Sequence, residues 1–318
     1  MPAAAVYSIL NKKENAHNDP IYCCAWATIK TKNNERVSQQ DYLVTGGLDN
    51  LVKVWHLDNN RLELLHTLEG HCMAIVSIAV SPDGYSIASS SLDSTLIIWE
   101  LTSGNKVHEI KTGTTDVWKV AFSPDGTKVV SGSHTGKLIV YDIVNNTVNK
   151  ILDTRGKFAL CVAWSRDGKY VASGSVDGAV YMFNESQSKL IHTIEAHTLT
   201  VRSVDFSPNS QLLLTASNDG DVKIFDVAGG NQRSVLNFKS WALSACFSPD
   251  GTRVAVAVGD GTVAIALLDL KILKSFQEHV DTVWDIKFNS EGNKLLSIGK
   301  DKTINIYECP IPTKSAKT

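Results

Sequence analysis

Apolar residues come in short runs that alternate with polar ones, and almost every run ends at a turn signal. The stretch 117–152 is representative. An alternating, apolar-rich run over 117–122 predicts one strand. Ser123-Pro124-Asp125-Gly126 then reverses the chain: proline fixes φ at the second turn position and Asp-Gly tolerates the tight reversal. Residues 128–132 predict a second strand, 133–136 a turn, 137–143 a third strand, 144–146 a turn and 147–152 a fourth. Strands this short, punctuated every 8 to 12 residues, suit an antiparallel all-β unit. Helical periodicity is nearly absent.

The unit recurs. Related turns start at 81 (SPDG), 123 (SPDG), 165 (SRDG), 207 (SPNS), 248 (SPDG) and 289 (NSEG), spaced 42, 42, 42, 41 and 41 residues apart. A second landmark keeps phase with them: Asp49, Asp93, Thr135, Asp177, Asp219, Asp260, Asp301. A period of 40 to 45 residues with four strands per unit is the signature of a propeller blade. No unit can cover its own apolar faces, so neighbours must stack. The expectation is an all-β, seven-bladed β-propeller spanning residues 1–312 as a single domain, with a short polar tail at 313–318. Residues 304–307 read as the third strand of the last unit, stopped by Cys309-Pro310-Ile311-Pro312. An N-terminal strand, placed at 6–10, then completes the last blade and closes the ring, removing two free sheet edges. The first unit carries an insert at 30–40 (KTKNNERVSQQ) that reads as an exposed loop.

Composition narrows the function. The chain has 318 residues, with 31 Lys plus Arg against 33 Asp plus Glu. That balance gives no general drive toward nucleic acid or an anionic membrane, so direct nucleic-acid binding is not expected. No apolar run approaches a membrane span, and the opening residues do not read as a secretory leader. The six cysteines form no C-x-x-C pair, and Cys161 and Cys246 fall in strand patterns. They read as reduced thiols in a cytoplasmic or nuclear protein. No phosphate-binding glycine loop or zinc-ligand spacing occurs, so neither a metal nor a cofactor is expected.

Aligned on the turns, four units share a polar set. A histidine stands ten residues before the turn at His17, His71, His197 and His279. Four residues before the Asp landmarks of those units stand Thr45, Ser89, Thr215 and Ser297. Six residues after them stand Trp55, Trp99, Phe225 and Tyr307. Ser, His and Asp together invite a hydrolase reading. A catalytic set is needed once, however, and this one recurs, so the chain is not expected to be an enzyme. The sixth unit has Phe238, Val256 and Ala266 at these positions and should rely on apolar packing by Val254, Val256, Val263 and Ile265.

In these landmarks the chain resembles WD-repeat β-propellers over almost its whole length. More narrowly, LVKVWHL (51–57), LDTRGKF (152–158), GKYVASGSVDG (168–178), FSPNSQLLLTASNDG (206–220) and INIYECPI (304–311) are similar to the WD-repeat subunits of superkiller (Ski) complexes. The resemblance implies that the His, Ser/Thr, Asp and Trp side chains form a hydrogen-bonded brace within each blade. It also implies a non-enzymatic scaffold. Its partners would be the tetratricopeptide subunit of the superkiller complex and, through it, a DExH-box RNA helicase that supplies the exosome in cytoplasmic 3′-to-5′ mRNA decay. In animals, subunits of the RNA polymerase II-associated factor complex, acting in transcription elongation and histone modification, would be partners too.

By the same resemblance, the residues five before each turn and three after each histidine position lie on the top face, around the channel mouth. They include Tyr22, Trp118, Phe158, Arg202, Trp241 and Trp284, with Asp19, Asp116 and Asp281 as acidic neighbours. Such a surface suits a short peptide carrying Arg and a hydrophobic anchor. The alternative is a substrate receptor of a cullin ubiquitin ligase. Those propellers often carry Trp-Asp-x-Arg, where this chain has Trp55-His56-Leu57-Asp58 and Trp99-Glu100-Leu101-Thr102.

Overall fold

The computed structural model describes residues 6–33, 36–112 and 117–311. Every regular element among them is a strand, and the strands form seven four-stranded antiparallel sheets. In blade 3 the order is Val117–Phe122, Lys128–Ser133, Lys137–Asp142, Thr147–Asp153, each strand paired with the next. The turn between its first two strands works as the sequence suggests. Ser123 Oγ donates to Asp125 Oδ1 (2.5 Å), Lys128 N donates back to Ser123 Oγ (3.0 Å), and Gly126 takes a φ of 72°. Blade 5 has Ser210 at that left-handed position, with φ 58°. Its hydroxyl accepts the amide of Asp167 from blade 4 (3.1 Å), which offsets the strain.

The core lies between blades, not within them. Each blade presents one apolar face to each neighbour, and the clusters so formed run around the ring. The junction of the last and first blades buries Leu296, Ile298, Ile304 and Ile306 against Ile21, Cys24, Leu43 and Trp55. Each such aliphatic side chain contributes about 1.5–3 kcal/mol on burial, so the closing junction is held like the others.

Closure uses the N-terminal strand, displaced from its expected place. Ser8–Lys13, not 6–10, pairs antiparallel with Ile304–Glu308. Val6 is left exposed, while Ala16 is buried and its amide donates to Lys302 O (3.0 Å). The outer strand of a blade faces solvent, so the pairing segment need not be apolar. Its backbone register, with Ile9 opposite Tyr307 and Lys13 opposite Ile304, decides the matter.

The expected loop at 30–40 is also different. The first two strands of blade 1, Ile21–Asn33 and Arg36–Gly47, run on through it as one long hairpin. Thr28 Oγ1 donates to Asp41 Oδ1 across the pair (2.8 Å), and Ala27 and Ile29 are buried. Gly84 of the neighbouring blade fits against this extension: a Cβ there would stand 2.9 Å from Thr28 O. Residues 34–35 and the tail 313–318 lie outside the described residues.

Candidate protein-binding face and its bracing

Four blades contain the polar brace. In blade 2, Trp99 Nε1 donates to Ser89 Oγ (2.8 Å), Ser89 Oγ meets His71 Nε2 (2.7 Å), and His71 Nδ1 meets Asp93 Oδ2 (3.2 Å). Asp93 also accepts the amide of Cys72 (2.7 Å), tying the loop between blades to the loop within one. Blade 1 repeats this with Trp55, Thr45, His17 and Asp49 at 2.9, 2.9 and 3.0 Å. Blade 5 has the His197–Thr215 and His197–Asp219 contacts at 2.7 and 3.0 Å, with Phe225 in the Trp position. Blade 7 has His279 against Ser297 at 2.7 Å and against Asp301 at 3.0 Å. There Tyr307 restores the fourth link, its hydroxyl lying 3.2 Å from Ser297 Oγ. Glycine is required beside the brace: a Cβ at Gly47 would meet His17 Nδ1 at 2.6 Å.

The electrostatics fit a structural role. Burial depresses His71 and His197, opposed by the carboxylate each touches, so both favour the neutral ring. Burial pushes Asp301 up, but the hydrogen bond and charge of His279, with Thr303, bring it down to about 2. Asp49, Asp93 and Asp219 are also lowered: burial opposes the shift, and their histidine and amide partners, led in Asp93 by the Thr95 hydroxyl, outweigh it. His197, Asp219 and Asp221 gather within 4.8 Å. His197 is already engaged by Asp219, and Lys223 lies 3.3 Å from Asp221, so this cluster is the brace of blade 5. The brace hydroxyls are fully buried, and Ser89 has both its neighbours, His71 and Trp99, engaged, so no substrate could reach it without unfolding the blade.

Blade 6 does without the brace. Val254, Val256, Val263 and Ile265 are all fully buried, as the sequence suggests. A residue that sequence reasoning missed supplies its polar link. Arg253, with no exposed surface, donates from Nη1 to Cys309 O (3.1 Å) and Pro310 O (3.0 Å) and from Nη2 to Gly292 O (2.7 Å). It thereby anchors the end of blade 7.

At one end of the channel the inner strands bring together Tyr22, Trp118, Arg202 and Trp284, with Val76, Leu160 and Leu243 between them. Six of these stand five residues before the turns of blades 2 to 7, and Tyr22 holds the equivalent place in blade 1. The aromatics form two groups: Tyr22 with Trp284 (centroids 5.0 Å apart), and Trp118 with Phe158 (5.4 Å), the latter flanked by His134 (5.5 Å). Trp241 belongs to neither pair and is 52% exposed. Tyr22 is raised, mainly by burial, against the pull of Arg202 and Lys119. Asp19 is exposed, whereas Asp281 is tied to Lys300 (3.2 Å). Asp116 lies outside the described residues.

One residue further along each inner strand runs a series that sequence reasoning passed over: Cys23, Ser77, Lys119, Cys161, Ser203, Ser244, Asp285. Asp285 is buried. It accepts from Ser244 Oγ of blade 6 (2.7 Å) and Cys24 N of blade 1 (3.2 Å), and Lys119 reaches it from blade 3 (3.4 Å). Burial raises this carboxyl, but Lys119 and Lys287 hold it at about 2. Asp205 is a second inner-strand acid; it accepts Phe247 N (2.8 Å) and is raised by burial. Both acids have partners from neighbouring inner strands. Lys119 and Asp285, the two charged members of an otherwise small, uncharged series, were the available signal for the first of them.

A ring of seven braced or apolar-packed blades, presenting aromatic and charged side chains at one mouth, defines an interaction scaffold. The chain belongs to the WD-repeat β-propeller family. The family model described as "IFT122 first beta-propeller" matches residues 37–308, and that of the "WD domain, G-beta repeat" matches 9–56. Among curated proteins it is similar to "WD repeat-containing protein SL1-17" of Schistosoma mansoni, 33% identical over 36% of each chain. It is also similar to "WD repeat-containing protein VIP3" of Arabidopsis thaliana, 32% identical over 34% of this chain and 32% of the relative. To "Small ribosomal subunit protein RACK1y" of Oryza sativa subsp. japonica it is 41% identical over 22% and 20%. The alignments span about a third or less of each relative's length.

Proposed function

We propose that the protein is a scaffold subunit that grips a short peptide of its partner at the mouth built from Tyr22, Trp118, Arg202 and Trp284. The observation that carries this reading is their convergence from four blades onto one opening. Two half-buried aromatic pairs supply apolar contact area, and Trp241 and Asp19 extend the surface outward. Trp, Tyr and Arg are the side chains that dominate interface energetics. Within this reading the peptide belongs to the tetratricopeptide subunit of a superkiller complex, which also carries the RNA helicase. A second pool of the protein joins the RNA polymerase II-associated factor complex. Cytoplasm and nucleus would then both contain it. The five sequence stretches similar to superkiller WD-repeat subunits support the assignment.

Titrating the purified tetratricopeptide subunit into the protein tests the site. Trp118→Ala or Trp284→Ala is expected to weaken binding by about 2 kcal/mol or more with the fold intact. Unchanged affinity in both variants would remove the site. Affinity purification with mass spectrometry tests the assembly: neither helicase nor elongation-factor subunits among the captured proteins would contradict the assignment.

A further inference from the structure

The channel mouth has open donors and no open carboxylate. Arg202 donates from Nε to Asn218 Oδ1 (2.9 Å), a neutral partner, and among the described residues no carboxylate pairs with its guanidinium. Trp118 Nε1, on another residue of the lining, is buried without an acceptor. The Tyr22 hydroxyl bonds to no described residue. Burial raises Tyr22, and Arg202 and then Lys119 pull it back, so both cations act on its hydroxyl.

The nearby acids are already spent. Asp285 has a side chain only 1% exposed, and two ammonium groups share it, Lys119 at 3.4 Å and Lys287 at 3.7 Å. Asp205, three residues along the inner strand from Arg202, accepts Phe247 N, and Lys287 leads the groups that oppose its rise on burial. Lys119, Lys287 and Arg202 therefore stand against two carboxylates, and positive charge is in excess. It is also accessible: Lys119 is 25% exposed and Arg202 is half-buried. A partner's Arg or Lys would meet these cations with no free carboxylate to receive it. A carboxylate would meet donors it can satisfy, since it is all acceptor and takes the two parallel N–H groups of a guanidinium. The cavity they line, about 40 Å³, has room for a group of a few atoms.

We propose that the partner segment seated at the mouth anchors itself there with a carboxylate, an Asp or Glu side chain held by Arg202 and Tyr22. An apolar neighbour of that acid lies on the Tyr22–Trp284 pair. The inference rests on the reading that the mouth grips a peptide, and it reverses the charge that the family resemblance implies for that peptide.

Selection of a random twelve-residue peptide library on the intact protein, counter-selected against Trp284→Ala, isolates segments that use the mouth. The selected peptides are expected to share one acidic position. Replacing that acid by its amide, a comparison that needs no protein variant, should weaken binding by roughly tenfold or more. Arg202→Gln should lose as much against the unaltered peptide while its urea midpoint stays near that of the parent. The two losses should not add, because they remove one contact. Arg202→Lys, which keeps the charge, should recover part of the affinity. Four results overturn the proposal: no peptide survives counter-selection, the shared position is basic or uncharged, Arg202→Gln keeps full affinity, or the two losses add. Titrating the tetratricopeptide subunit into parent and Arg202→Gln separates this inference from the assembly. Equal binding to both would remove the carboxylate anchor alone. A subunit that binds neither, beside peptides that keep their acid requirement, would remove the assembly alone.

Discussion

Blades 2 and 6 solve the same problem with opposite chemistry. Blade 2 joins its loops to its strands through Trp99, Ser89, His71 and Asp93, a continuous hydrogen-bonded chain in a buried setting. Blade 6 places Ala266, Val256 and Phe238 at the corresponding positions and fills its interior with valine and isoleucine. Its buried Arg253 ties the end of blade 7 through Cys309 O and Pro310 O and bonds Asp250 in its own turn (3.1 Å). A propeller blade therefore needs a filled interior and pinned loops, and either a satisfied polar network or close apolar packing can supply the first. A partly satisfied network supplies neither, and that difference can be tested.

The largest effect is expected at Arg253. Arg253→Met removes every polar contact it makes and leaves the carbonyls of Gly292, Cys309 and Pro310 without that partner. Urea unfolding should show a loss of about 3–5 kcal/mol, with the end of blade 7 losing amide protection first. Next comes a matched pair. Ser89→Ala leaves His71 Nε2 and Trp99 Nε1 buried without their shared partner and should cost about 2–3 kcal/mol. Val256→Thr, nearly the same in shape, introduces a hydroxyl where blade 6 has no His or Trp to meet it and should cost about 1–2 kcal/mol. If Val256→Thr were neutral, blade 6 would still hold a place for the brace.

Acid should separate the two blades as well. His71 and His197 sit below their ordinary 6.5 in the fold, so the unfolded chain binds more protons as pH falls under that value. Stability is expected to decline from pH 6.5 downward. It should decline again between the ordinary 3.8 of Asp301 and its folded value of about 2. His71→Phe, which copies Phe238 of blade 6, should flatten the first decline when urea midpoints are compared at pH 7 and pH 5.5. The smallest effect is at Tyr307: Tyr307→Phe removes one hydroxyl contact to Ser297 and should cost about 1 kcal/mol.

The braces and the ring were legible in the sequence because they depend on local spacing. A turn needs Ser, Asp and Gly at fixed offsets, and the histidine and aspartate recur at fixed distances from it. The convergence of the channel-mouth residues follows from the same register. What escaped were features made by residues far apart in the chain. Lys119 and Asp285 meet only because the ring turns blades 3 and 7 toward the same channel, and Arg253 needs a carbonyl 56 residues away. The hairpin of blade 1 escaped for a different reason. A polar, lysine-rich insert reads as a loop, yet backbone pairing and cross-strand bonds such as Thr28 to Asp41 carry it on as strand.

The proposed roles are distinct, the braces for holding the blades and the channel mouth for holding the partner, and one paired measurement separates them. The tetratricopeptide subunit is titrated calorimetrically into Ser89→Ala and into Trp118→Ala, and each variant is also unfolded in urea. Ser89→Ala should bind at full strength and unfold early. Trp118→Ala should bind poorly while its unfolding midpoint stays near that of the parent. The reverse outcome, affinity lost at the brace and retained at the mouth, would contradict the account.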